Sequence, residues 1–224
     1  MLGNWFSKSL AMGIICCVIS LGALTTSPAR ATLIQANDGA FGAGDDGFNL
    51  TQDTDTGLEW LDLTLTTDLS YNAVAGGAGG FLAAGFSIAT GSQVDTFFTN
   101  SGATNLSGDN LVSQFSSAQT LVNLLGCTDF CGTGGDVSTG VSDANPFGVL
   151  AALPFVRIFD DPDLGNIGQY WGSVNCCISK DTSFETFGVF LVRGIPEPTS
   201  LALFAFGLAG LGFMARRRRK KLAA

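Results

Sequence analysis

The segment Thr199–Ala215 contains 17 residues without a single charge, and six consecutive basic residues, Arg216–Lys221, follow it directly. As a helix rising about 1.5 Å per residue, it would be roughly 25 Å long, enough to cross the core of a thin bilayer. Basic flanks stay on the cytoplasmic side, so the preceding residues are expected to face outward. The residues predicted to stop transfer through the membrane are Arg216, Arg217, Arg218 and Arg219.

A second apolar run, Leu10–Leu24, follows Lys8 near the other end of the sequence. A basic start, about 15 apolar residues and the small-x-small sequence Ala29-Arg30-Ala31 are the parts of a secretory signal peptide. We expect export through the Sec translocon and cutting by signal peptidase after Ala31, at the site formed with Ala29. An uncleaved anchor helix is the alternative, which the short apolar run disfavours. The sequence thus divides into a signal peptide (1–31), an exported domain (32–195) and a tail (196–224).

The tail opens with Pro196, Glu197 and Pro198, whose two prolines hold the chain extended. Pro-Glu-Pro, a short apolar helix and an Arg-rich end, in this order, resemble the PEP-CTERM sorting signal of Gram-negative and cyanobacterial envelopes. The resemblance implies that the membrane enzyme exosortase recognises these three residues, cuts nearby, and releases or transfers the protein. It also implies an inner-membrane intermediate with the domain outward, then a location in the cell envelope or extracellular matrix. The alternative is a single-span membrane anchor without a sorting step.

The exported domain contains eighteen acidic and three basic residues, which leaves a net charge of −15. Such a domain repels a phosphate backbone, so nucleic acid is not an expected partner. The chain has no histidine, which excludes Ser-His-Asp and Cys-His catalysis and histidine-ligated metals. We assign no catalytic residues and expect a non-enzymatic binding or structural module for polysaccharide or surface partners. The alternative is a secreted hydrolase with paired carboxylates such as Asp160 and Asp161.

Hydrophobic periodicity predicts an α+β fold for this domain. Alternation over Leu58–Leu63 predicts a half-buried strand, with Leu58, Trp60 and Leu61 inward. Further strands are predicted at Val149–Phe159, which Pro154 interrupts, at Gln169–Val174 and at Phe184–Val192. The last of these is apolar on both faces, which is typical of a strand covered on both sides.

Helical spacing predicts a short helix from Ser70 and two longer ones. The first longer helix follows an N-cap at Thr90 or Ser92 and places Val94, Phe97 and Phe98 on one face. The second covers Leu111–Leu125, and its apolar face is predicted to hold Leu111, Phe115, Ala118, Leu121, Val122 and Leu125.

The order of several short motifs resembles the C-type-lectin-like domains of the Lcl and formylglycine-generating-enzyme group. These motifs are Thr56–Asp62, Ser70-Tyr71, Phe86–Thr90, Tyr170-Trp171 and Leu191–Arg193. The resemblance implies a short-stranded mixed or antiparallel sheet with two helices. The family's Gly-Trp-Arg appears here as Ala84-Gly85-Phe86, and the copper-binding cysteines of its enzymes have no counterpart, so enzymatic activity is not implied.

Four cysteines lie outside the signal peptide: Cys127, Cys131, Cys176 and Cys177. Export to an oxidising compartment favours disulfides, and four cysteines allow three pairings. A bond between the adjacent Cys176 and Cys177 would be strained, so we favour bonds that join the 127/131 loop to the 176/177 loop. Zinc ligation by the four sulfurs is the alternative.

Closely spaced aspartates in glycine-containing loops are candidate Ca²⁺ ligands, because calcium takes six or more oxygens. The clusters are Asp45-Asp46, Asp53 with Asp55, and Asp160-Asp161 with Asp163. The Asp53 cluster matches the first half of an EF-hand loop but has Thr64 at the bidentate position. Solvated turn residues are the alternative, and no other cofactor is expected. Tyr71, Trp60 and Trp171 fit either sugar stacking or the core.

Overall fold

A computed structural model describes residues 32–37, 39, 41–42, 44, 47–132, 135–143, 150–172 and 177–195, with the backbone alone at 160, 161 and 177. The strands within these residues are β1 Leu33–Ala36, β2 Leu50–Asp53, β3 Leu58–Leu61, β4 Ser87–Ile88, β5 Val137–Val141, β6 Leu150–Ala152, β7 Phe155–Asp161, β8 Gly165–Trp171, β9 Cys177–Ser179, β10 Gly188–Val189 and β11 Leu191–Gly194. The α-helices are α1 Tyr71–Ala75, α2 Gly91–Asn100 and α3 Phe115–Leu125. Short 3-10 helices cover Leu63–Thr66, Ala78–Gly80 and Val112–Gln114.

The larger sheet has the order β1-β2-β3-β11-β4, and all of its pairs are antiparallel. The last strand, β11, lies between β3 and β4, with Val192 opposite Trp60 and Leu191 opposite Ile88. Successive side chains of a strand point to opposite faces. Val192 therefore enters one hydrophobic cluster and Leu191 the other.

The main cluster lies between this sheet, the helices α2 and α3, and the strands β7 and β8. Trp60 stacks on Phe97 with ring centroids 4.2 Å apart, and the ring of Phe190 meets it edge-on at 6.2 Å. Tyr170, from β8, contacts Phe98 at a centroid distance of 5.5 Å. Stacked and edge-on aromatic pairs of this kind stabilise a core beyond the area that they bury.

A second cluster covers the opposite face of the same sheet. Its fully or mostly buried members are Leu50, Leu61, Val74, Phe81, Phe86, Val189 and Leu191. The chain from α1 to β4 supplies three of these side chains and thereby covers the sheet. This sheet is therefore apolar on both faces, as the sequence predicts for its last strand.

The two predicted longer helices are present, but the second begins at Phe115 and not at Leu111, which is extended and pairs with Gly168. Side-chain caps explain where α1 and α2 begin. Thr90 and Gln93 form a capping box at the start of α2, in which the Thr90 side chain accepts from the Gln93 N–H. Val94, Phe97 and Phe98 are fully buried, as their spacing predicts. The short helix α1 starts at Tyr71 because the Ser70 hydroxyl accepts from the N–H of Ala73.

The smaller sheets hold the remaining strands. One has the order β10-β5-β7-β8, with a parallel β10–β5 pair and antiparallel pairs elsewhere, and the other joins β6 to β9. The α+β class is confirmed, but the strands form three sheets rather than the single predicted sheet. Pro154 interrupts the predicted strand Val149–Phe159 as expected, since β6 and β7 are separate strands on either side of it.

The predicted strand Phe184–Val192 is wrong at its start. Phe187 donates its N–H to the carbonyl of Phe184, and the two rings pack at 4.8 Å, so this part of the chain turns instead of extending. Among the helices that the structure describes, none is both long and apolar enough to cross a membrane. The predicted span 199–215 lies outside the described residues.

Candidate functional site

The strand β11 leads directly into the predicted sorting tail. Gly194 pairs with Leu58, and Ile195 donates its N–H to the carbonyl of Gly57 at 2.9 Å. Ile195 is the residue before Pro196. The sheet therefore holds the chain up to the first residue of the Pro-Glu-Pro sequence.

A buried ion pair fixes this end of the sheet. Arg193 donates from Nε to Oε2 of Glu59 at 2.7 Å, and the two side chains are only 18% and 5% exposed. Gln52 donates from Nε2 to the other carboxylate oxygen at 2.8 Å. The guanidinium group of Arg193 also lies 4.5 Å from the ring centroid of Phe86. Both oxygens of Glu59 are thus engaged, and the charge on Arg193 is balanced inside the sheet.

The sorting residues themselves lie outside the described part of the chain. These residues are Pro196, Glu197 and Pro198, the signal cleavage residues Ala29 and Ala31, and the membrane-stop residues Arg216, Arg217, Arg218 and Arg219. Four residue steps separate Ile195 from Thr199, and they span at most about 14 Å when fully extended. In the sequence, the predicted membrane segment therefore begins four residues after the last residue that the structure describes.

The cysteines are paired differently from the favoured interpretation. Cys127 and Cys131 form a disulfide with a Cα–Cα distance of 5.7 Å, so bonds from these two to the 176/177 loop are wrong. Helix α3 ends at Leu125, and Gly126 turns the chain with φ 78°, which brings the two cysteines together across one short loop. Disulfide sulfurs are not thiolates, so the four-sulfur zinc site fails as well. Cys176 and the side chain of Cys177 lie outside the described residues.

The calcium candidate formed by Asp53 and Asp55 has a structural role in a turn. Asp53 is fully buried, and its Oδ1 accepts from the N–H of Asp55 and of Thr56 at 3.0 and 3.4 Å. Its Oδ2 accepts from Asn100 Nδ2 at 2.9 Å, which ties the turn to the end of α2. Asp55 is exposed.

The second calcium candidate is described only in part. Asp163 is exposed in the β7–β8 turn, and the side chains of Asp160 and Asp161 lie outside the described part. Within the described residues, no group of three or more acidic or cysteine side chains could hold a metal ion. Calcium binding at the aspartates therefore stays a prediction.

A cluster that the sequence did not reveal joins Lys180, Asp143 and Tyr71. Lys180 Nζ lies 3.0 Å from Asp143 Oδ1 and 4.2 Å from the ring centroid of Tyr71. Burial lowers the pKa of Lys180, but its hydrogen bonds and the charges of Asp143 and Tyr71 outweigh this and raise it. Burial, together with the charge of Asp143, raises the pKa of Tyr71. The sequence shows a lysine in a very acidic domain, but neither its burial nor its partner.

The outer face of β7 and β8 carries a half-buried aromatic and polar surface, which we call the β7–β8 face. It consists of Phe155, Arg157, Phe159, Gln169 and Trp171. Register places Phe155 opposite Trp171 and Arg157 opposite Gln169, and the rings of Phe155 and Trp171 stack with centroids 5.6 Å apart. Of the three aromatic residues considered for sugar stacking, Trp60 belongs to the core, whereas Trp171 lies on this face.

A rigid polar loop borders the β7–β8 face. Asp109 Oδ2 accepts from Asn105 Nδ2 at 2.6 Å and from the Ser107 hydroxyl at 2.7 Å. Hydrogen bonds from Ser107 and Asn105 lower the pKa of Asp109, so it stays ionised. Gln169 Nε2 donates to Asn110 Oδ1 at 3.1 Å and also to the carbonyl of Gly108. The loop thus presents a carboxylate and two amides at the edge of the aromatic surface.

A polar cavity of about 450 Å³ lies beside the disulfide. Its lining residues are Gln35, Val122, Asn123, Cys127, Cys131, Gly132 and Asp136. Asp136 Oδ1 accepts from the N–H of Gly132 at 2.7 Å. Among the described residues of the lining, Asp136 supplies the one carboxylate, so they do not form the carboxylate pair that the hydrolase alternative needs.

Comparison with known proteins identifies the motif in the tail. No curated protein and no solved structure matches the chain, so the C-type-lectin-like fold is not confirmed. The family model of the PEP-CTERM protein-sorting motif matches residues 194–219. This match begins on the last residue of β11 and includes Pro196, Glu197 and Pro198. The chain is therefore a protein with a PEP-CTERM sorting motif, an exosortase substrate that is exported to the cell envelope or surface.

Proposed function

We propose that the protein is sorted by exosortase through an inner-membrane intermediate and is then held in the cell envelope or released into the extracellular matrix. There its acidic domain acts as a non-enzymatic binding or structural module for polysaccharide or surface partners. The observation that carries the proposal is the motif at 194–219, which starts where β11 ends. The membrane segment at 199–215, the signal peptide and the Sec translocon are the parts of this route that the sequence predicts.

The buried carboxylates support a role without catalysis. Asp53 bonds to its own turn and to Asn100. Glu59 bonds to Arg193 and Gln52, and the Asp62 carboxylate accepts from the N–H of Thr64. General acids and bases usually have free, strongly perturbed carboxyl groups in a cleft. These three serve instead as caps and sheet contacts.

The intact mass of the mature protein tests the sorting step. We expect loss of the residues that follow Pro-Glu-Pro in cells with exosortase and a retained tail in cells without it. Changing Pro196 and Pro198 to alanine should also retain the tail. Pro162→Ala, in the exposed β7–β8 turn, is the matched control and should be processed normally. An uncut tail in wild-type cells would instead establish a plain membrane anchor.

A substrate panel tests the absence of catalysis. The processed protein, purified from culture, should show no turnover on glycans and esters. Turnover that disappears when Asp160 and Asp161 are changed to asparagine would establish the hydrolase alternative. Loss of calcium-dependent stabilisation in the same variant would assign these two residues to a metal site instead.

A further inference from the structure

Two buried hydrogen-bond donors on the β7–β8 face have no acceptor among the residues that the structure describes. They are Nε of Arg157 and Nε1 of Trp171. Buried polar groups are nearly always hydrogen-bonded in folded proteins, so each orphaned donor needs an explanation. Arg157 makes no ion pair or hydrogen bond with any residue in the described ranges, and its guanidinium group lies 4.5 Å from the ring centroid of Phe159.

The other two basic residues of the domain each have an acidic partner. Lys180 is paired with Asp143, and Arg193 is paired with Glu59. In a domain with eighteen acidic residues, Arg157 differs from both in having no carboxylate partner within the described part of the chain. Its register partner is an amide, Gln169. The Nε–H of Arg157 is buried, but the two terminal nitrogens of the guanidinium group carry four further N–H donors, which can bond to oxygen atoms of another molecule.

The groups around Arg157 are held by ring packing and hydrogen bonds, and they include both apolar rings and polar side chains. The Trp171 ring packs against Gly108 and stacks on Phe155. Gln169 is held by Asn110 and by the carbonyl of Gly108. The surface thus combines flat apolar rings with fixed N–H donors, amide oxygens and the exposed carboxylate of Asp109. Rings cover the C–H faces of a sugar, and planar polar groups bond to its hydroxyls.

We infer that the β7–β8 face binds a neutral, hydroxyl-rich polysaccharide, with the terminal nitrogens of Arg157 as donors, the Trp171 ring as a stacking surface and Gln169 as the neighbouring amide. The net charge of −15 and the nearby Asp109 repel polyanions, which selects against carboxylated or sulfated chains. The inference rests on the proposed function, since it names the partner class and the site of that binding module.

Affinity electrophoresis and calorimetry of the processed protein provide the test, with dextran and mannan as neutral probes and alginate as the anionic probe. Arg157→Gln keeps a planar amide but removes the charged fork, and Trp171→Leu keeps an apolar side chain but removes the flat ring. We expect each change to weaken binding of a neutral probe about tenfold, the effect of losing one charge-assisted hydrogen bond or one stacked ring. Ile34→Ser, at an exposed site on β1, is the control and should bind as wild type does.

The possible outcomes test the location of the binding site and the binding function separately. Neutral-probe binding that both variants retain would overturn the site and leave the binding module intact. Binding of alginate alone would overturn the ligand class. If the wild type binds none of the probes but is still processed by exosortase, the inference fails while the sorted envelope protein stands.

Discussion

Replacing Glu59 by glutamine should weaken the attachment of β11 to the rest of the sheet and so lower the free energy of unfolding. The change keeps the size of the side chain but removes the charge that balances Arg193. Both carboxylate oxygens of Glu59 accept hydrogen bonds, one from Arg193 and one from Gln52. The new amide nitrogen must therefore face one of these donors. The variant thus combines an unbalanced guanidinium charge with a donor–donor contact.

The size of the effect follows from burial. Removing one partner of a buried ion pair costs about 3–5 kcal/mol, because the other charge stays desolvated. Arg193 is 18% exposed and keeps its contact with the Phe86 ring, so we expect the lower end, about 3 kcal/mol. For a domain of this size, that corresponds to a fall in the melting temperature of about 6–12 °C.

Urea unfolding of the processed protein measures this loss. Trp60 stacks on Phe97 inside the core, so tryptophan fluorescence reports on the relevant packing. Glu185→Gln removes the same charge from an exposed position and should leave the free energy of unfolding within about 0.5 kcal/mol. A loss below about 1 kcal/mol for Glu59→Gln would refute the claim that the buried ion pair of Glu59 and Arg193 stabilises the sheet.

Three further changes probe other parts of the fold. Gly168→Ala should cost about 1–3 kcal/mol in a urea titration, because its Cβ would collide with the backbone of the turn before α3. Gly194→Ala, whose Cβ would meet nothing within 4 Å, should be nearly neutral. Opening the disulfide by changing Cys127 and Cys131 to serine should lower the free energy of unfolding by about 2 kcal/mol in the chain-entropy model. A non-reduced peptide map that links either cysteine to the 176/177 peptide would contradict the structure. The pKa of Lys180 is raised in the folded state, so its contribution to stability should be lost as the pH rises above about 10.5. Unfolding curves of Lys180→Met should lack this part of the pH dependence.

Local signals predicted the helices well. The Thr90 hydroxyl, the Gln93 side chain and the spacing of Val94, Phe97 and Phe98 all lie within one stretch of ten residues. Caps and helical periodicity need no information from the rest of the chain. The sorting motif is equally local, and the family match to 194–219 agrees with it.

Contacts between distant residues were harder to predict. Alternation predicted β3 as a half-buried strand, yet Glu59 is only 3% exposed, because it meets Arg193 across a sequence separation of 134. Phe184 and Phe187 fit an extended strand by composition, but their rings fold over one another. The favoured cysteine pairing was wrong because it rested on the strain of a Cys176–Cys177 bond and did not include the turn at Gly126, which brings Cys127 and Cys131 together. The β7–β8 face was hidden because it depends on strand register.

The position of β11 inside the larger sheet has a consequence for the order of synthesis and folding. The strands β3 and β4 are made early, but their shared neighbour is the last strand of the domain. Until Leu191–Gly194 has crossed the membrane, both strands present open edges, which are prone to pair with other chains. Folding dominated by such distant pairings is slow. A chain that stops short of residue 194 therefore lacks both the completed sheet and the sorting motif, so only full-length molecules would reach the surface as folded protein.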